Sequence, residues 1–125
     1  MPRVARLTDL HLNFPSDKQA EAFYAALAST EADCFAFTGD IGEAPNVEHY
    51  LRLLDTSLKR PVYLVLGNHD FYRGSIASVQ ERVQNLCMAS SNLHWMPKKE
   101  GIMPLSEHTC LIGHDGWGDA RAGDY

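Results

Sequence analysis

Short apolar runs alternate along the chain with stretches of helical spacing, and the alternation repeats three times. Val4 to Thr8 is mostly apolar and opens into Asp9-Leu10-His11, which predicts a buried strand and then a loop. Ser16 with Gln19 forms a capping box, and Phe23 and Leu27, flanked by Ala22 and Ala26, give one apolar helix face to about Ser29. Asp33 to Thr38 predicts a second strand, closed by Gly39-Asp40. Pro45 and Asn46 open a second helix in which Val47, Tyr50, Leu51, Leu54 and Leu58 keep helical spacing. After Pro61, Val62 to Leu66 is a continuous apolar run of the kind buried inside parallel sheets, and it ends in Gly67-Asn68-His69-Asp70.

A third helix is predicted from about Ser75 to Ala89, with Ile76, Val79, Val83 and Leu86 on one side. Leu93 to Met96 fits a short strand, and Pro97 to Gly101 is turn chemistry. Thr109 to Ile112 predicts one more strand, running into Gly113-His114-Asp115-Gly116-Trp117. Alternation of this kind builds βαβ units, so the fold class is α/β with a mainly parallel sheet and flanking helices. Residues 118–125 are loop-like and lead to no further element, so residues 1–125 are expected to form a single domain that stops partway through a larger fold.

Three successive strands finish in side chains that bind metals. Asp9 and His11 are two apart, which in extended backbone points both to the same side. Asp40 follows the second strand, and Asn68 and His69 follow the third. The carboxyl ends of strands line the ligand crevice of an open α/β sheet, so these separated residues are expected to converge. Carboxylate, imidazole and amide donors suit Mn, Fe or Zn, and Asp40 can offer one oxygen to each of two ions. Asp-x-His or Gly-Asp alone is ordinary turn chemistry. All three motifs in order, each at a strand end, point to a site.

Composition narrows the partners. Eleven Lys plus Arg against sixteen Asp plus Glu leave a net charge of −5, which offers no basic stripe for a nucleic acid or an acidic membrane. A phosphorylated substrate remains compatible, because bound cations supply positive charge locally. Cys34, Cys87 and Cys110 are odd in number, widely spaced and set in apolar segments, and read as buried small hydrophobes. No secretory or membrane-spanning apolar run is visible, and a cytoplasmic protein is the expectation.

Asp9-Leu10-His11, Gly39-Asp40 and Gly67-Asn68-His69-Asp70 resemble, in order and spacing, the first three signatures of the calcineurin-like metallophosphoesterases. The resemblance covers essentially the whole chain. It implies half of a β-sandwich that is four-layered (α/β/β/α) when complete, and two divalent ions (Mn, Fe or Zn). By that resemblance Asp9 and His11 bind the first metal, Asp40 bridges both, Asn68 binds the second, and His69 is the general acid. Glu43 sits where some members carry an acid that orients the catalytic histidine. Asp70 either shares that orienting task or caps its turn. The later histidine signatures of the family have no counterpart here.

His114 follows a strand and is the one candidate replacement, as a metal ligand, a substrate contact or a plain turn residue. His49 reads as solvated, His94 and His108 as structural, and Trp117 as packing on the sheet edge. The implied reaction is phosphoester hydrolysis, by a phosphatase or a phosphodiesterase, in which a bridging hydroxide attacks phosphorus and His69 protonates the leaving oxygen. The alternative is a non-catalytic interaction protein with an incomplete metal site. A nuclease would need a basic channel, which eleven scattered Lys and Arg do not make. With three ligands for one ion and two for the other, the chain is expected to bind at most one ion weakly. It is also expected to leave an apolar face that another copy or a partner covers.

Overall fold

The computed structural model of the protein describes residues 1–99 and 101–116. Strand β1 (Val4–Leu7), helix α1 (Asp17–Ala28), β2 (Cys34–Thr38), α2 (Val47–Leu58), β3 (Val62–Val65), α3 (Ile76–Ala89) and β4 (Leu93–Trp95) follow one another in sequence. The four strands form one parallel sheet in the order β1-β2-β3-β4. Its register sets Ala5, Phe35, Val62 and Leu93 in one row and Leu7, Phe37, Leu64 and Trp95 in another. Rows two residues apart share a face. That face is buried together with Tyr24, Leu27, Leu51, Leu54, Val79 and Val83 from the three helices. Phe35, Val62 and Leu64 are 0% exposed. Each such side chain contributes roughly 1.5–3 kcal/mol relative to leaving it in water.

Local chemistry starts the helices where the pattern predicts. Ser16 accepts from the Gln19 N–H while the Gln19 side chain accepts from the Ser16 N–H, so the capping box is complete. Ser75 accepts from the Ser78 N–H at the start of α3. Asn46 differs: its side chain turns back to accept the Glu43 N–H at 2.8 Å instead of capping α2. Ile76, placed by its spacing on the buried side of α3, is 48% exposed, because it stands in the helix's first turn.

Thr109–Ile112 is a strand, β6, but its partner is β5 (Ile102–Ser106), and the two pair antiparallel as a separate hairpin. Within β6 the side chains alternate, and Cys110 takes an outward position. It therefore departs from the reading of all three cysteines as buried; Cys34 is buried and Cys87 partly so. Burial pushes the Cys87 thiol up to about 11, which leaves it unreactive at neutral pH. His49 and His108 are exposed, and His94 stacks on Tyr63 at 5.2 Å. Trp117 and residues 118–125 lie outside the described residues. Among the described residues no helix is long and apolar enough to cross a membrane.

Candidate metal centre

Three loops leave the carboxyl edge of the sheet, after β1, β2 and β3, and main-chain bonds lay them side by side. The first is held to the second by Asp9 N–H to Gly39 O (3.2 Å), His11 N–H to Asp40 O (2.9 Å) and Leu12 N–H to Ile41 O (2.9 Å). Leu12, 4% exposed, anchors that loop in the core. The second and third loops meet through Gly39 and Gly67. A Cβ on Gly39 would lie 2.7 Å from the Gly67 nitrogen, and one on Gly67 would overlap the Asp40 carboxylate. Only glycine at both positions lets the two strand ends approach this closely.

Asp70 completes the junction. It is 0% exposed, and one carboxylate oxygen accepts the Ile41 and Gly42 N–H groups at 2.8 and 2.9 Å. The other accepts the Gly67 N–H at 2.9 Å. Burial pushes its carboxyl above the ordinary range, and the three N–H donors pull against that shift. Asp70 is thus the clamp between the second and third loops, more than the cap of its own turn.

On this frame Asp9, His11 and Asp40 come together, with one ligand atom from each, all within 4.8 Å of one another. All three residues hold positive φ, at 53°, 42° and 54°. Asp9 and His11 therefore meet not through the extended backbone that their spacing suggested but through left-handed backbone after the strand. Such backbone is rare outside glycine and costs free energy, which marks a constrained site. Asp40 Oδ1 accepts the His69 N–H at 3.1 Å, while Oδ2 lies 3.9 Å from His11 Nε2. Its two oxygens therefore face different neighbours. No Lys or Arg among the described residues pairs with Asp9 or Asp40, and His11 Nδ1 is buried without a partner. Two carboxylates and an imidazole this close, with no cation between them, fit a divalent ion.

The His69 ring stands edge-on to His11 at 4.9 Å. Asn68 sits beside it, its amide nitrogen donating to the Tyr72 hydroxyl at 2.8 Å. That commitment leaves the amide oxygen for a cation. Tyr72 also lies 4.4 Å from the His69 ring. Its backbone is pinned by its own N–H to His69 O (3.0 Å) and by its carbonyl, which accepts the Ala44 N–H at 3.1 Å. Sequence reasoning passed over Tyr72, because an aromatic residue just before a helix carries no pattern of its own.

Glu43 pairs with Arg73 at 3.3 Å. His114 is exposed at the end of β6 and lines a cavity with Thr38 and Val65. Its neighbour Asp115 is the residue that reaches the third loop, accepting the Leu66 N–H at 2.8 Å and the Trp95 indole N–H at 3.1 Å. Nothing in a lone Asp after a strand announced that bond.

Comparison with curated proteins and with solved structures finds no match. A family model does match: that of the calcineurin-like phosphoesterases, over residues 2–124. With nearly the whole chain covered and the first two loops meeting at a metal-competent cluster, the chain belongs to the calcineurin-like phosphoesterase family.

Proposed function

We propose that the protein hydrolyses phosphoesters at a centre of two divalent ions held by Asp9, His11, Asp40 and Asn68, with His69 as the general acid. The observation that carries this reading is the Asp9–His11–Asp40 cluster, three donors within 4.8 Å, with the His69 ring 4.9 Å from that of His11. Divalent ions bound there supply a nucleophile at neutral pH and neutralise phosphoryl oxygens. Asp40 faces both halves of the centre, one oxygen toward His11 and one toward the third loop. His69, protonated, gives its proton to the departing alkoxide. Among the described residues Asn68 and Asp40 are two donors for the second ion, and water fills its remaining positions.

Equilibrium dialysis with Mn²⁺ and an assay on a chromogenic phosphodiester test the reading. One ion is expected to bind weakly, and His11→Ala and Asp40→Ala are expected to abolish its binding. Mn²⁺ binding that survives both substitutions would overturn the assignment. Tyr72 gives a finer test. Tyr72→Phe keeps the ring on His69 but releases the Asn68 amide. Losing such a hydrogen bond behind a ligand typically costs about 10–100-fold in metal affinity or activity. Titration of Mn²⁺ beyond the first ion is expected to show a loss of that size, and an unchanged affinity would remove Tyr72 from the centre.

A further inference from the structure

A cavity of about 440 Å³ opens directly off the candidate metal cluster. Asp9 and His11 form one end, and Leu10, Phe14, Ala20 and Phe23 supply apolar wall. The volume falls in the range of small-molecule sites, and an apolar lining with a few polar groups at one end is their usual character. Its shape follows from the first loop. Leu12 is anchored in the core, and the Phe14 N–H closes a turn on the His11 carbonyl at 3.0 Å. That turn leaves Phe14 75% exposed at the cavity, its ring 5.9 Å from the His11 imidazole. Among the described Phe, Tyr and Trp residues, the exposed side chains are Phe14 and Tyr72, and each has its ring against a site histidine.

We infer that this cavity receives the organic group of the substrate, and that this group is an aryl ring close to the ester oxygen. The inference rests on the phosphoester reading above and adds a substrate class to it. A phosphoryl group bound through cations at Asp9, His11 and Asp40 would lie at the mouth of the cavity, because the cavity and the cluster share Asp9 and His11, and a substituent on phosphorus can then enter it. Three rings, those of His11, Phe14 and Phe23, contribute to the wall. A planar ring finds edge and face contacts there, whereas a flexible chain finds only area. Gln19, the further polar group on the lining, has its carbonyl oxygen committed to Ser16. The lining therefore reads mainly shape and ring character, with the Gln19 amide NH₂ as a further donor.

Phosphonates, whose P–C bond resists hydrolysis, separate binding from turnover. Calorimetry on the Mn²⁺-loaded chain would compare methyl-, phenyl- and hexylphosphonate. Phenylphosphonate is expected to bind about tenfold more tightly than methylphosphonate, the size expected when part of a ring leaves water. Phe14→Ala is expected to remove most of that advantage, and Phe14→Leu, which restores area without a ring, only part of the loss. The Ala20 methyl resonance is expected to shift with the phenyl ligand through its ring current and to stay in place with the methyl one. Equal affinity for all three ligands, or tighter binding of hexylphosphonate than of phenylphosphonate, would overturn the aryl pocket and leave the metal centre standing. Absence of any Mn²⁺-dependent phosphonate binding would overturn both readings together.

Discussion

Alanine at position 69 is expected to lower turnover of substrates with poor leaving groups by about 10²–10⁴-fold, the usual contribution of a general acid. Metal content is expected to stay nearly intact. The bond from residue 69 to Asp40 uses the backbone N–H, which alanine retains. The loss should shrink for p-nitrophenyl esters, whose leaving group departs without a proton. His11→Ala removes a donor of the three-residue cluster instead, so metal is lost first and activity follows. The measurement pairs metal analysis with rates for leaving groups of graded pKa. Equal metal loss in both variants would show that His69 is a ligand and not the acid.

The sheet and the first three loops were legible because each rests on a local signal that the tertiary structure reinforces. Val62 to Val65 is apolar at every position, and it occupies an interior strand of the sheet. Gly39 and Gly67 precede their ligands because the strand ends touch there. The hairpin was only half legible. β6 reads as a strand, but β5 carries Pro104 within Ile102–Ser106, and its turn at Glu107-His108 lacks the glycine that signals a tight hairpin. β5 also alternates between outward and half-buried positions, so its apolar residues Ile102, Met103 and Leu105 mark no deeply buried strand.

The site divides along similar lines. The candidate ligands stand out by their order, since Asp-x-His, Gly-Asp and Gly-Asn-His-Asp follow three successive strands. The residues that hold or flank them do not. Tyr72 touches Asn68 through its hydroxyl and His69 through its ring, two contacts that need the three-dimensional turn after the third strand. Phe14 gave no signal because an aromatic residue in a short loop is normally read as core, and its exposure follows from the turn at His11. Asp115 works across 49 positions of sequence to reach Leu66, beyond the reach of any local pattern.

Loss of the Asp70 carboxylate is expected to have the largest effect on stability. Asp70→Ala strips the acceptors from three backbone N–H groups, those of Ile41, Gly42 and Gly67. Asp70 itself is 0% exposed, and its bonds to Ile41 and Gly42 are buried while that to Gly67 is partly so. A buried donor left without a partner costs about 1–3 kcal/mol. Three together, with partial relaxation of the loops, are expected to cost about 3–5 kcal/mol, a large fraction of the 5–15 kcal/mol that keeps a domain folded. Urea unfolding measures this as a lower midpoint at unchanged slope. Asp70→Asn separates the clamp from mere volume. It keeps one acceptor oxygen, which can serve Ile41 and Gly42, but sets an NH₂ group against the Gly67 N–H. About half of the loss is therefore expected to return. A change within about 0.5 kcal/mol for Asp70→Ala, the range of ordinary surface substitutions, would mean that the loops do not depend on this carboxylate. Where Asp70→Asn folds, its weakened hold on Gly67 acts at the residue that packs against Asp40. Mn²⁺ affinity is then expected to fall even in the folded fraction, because the clamp that joins the second and third loops also sets the distance between the ligands they carry.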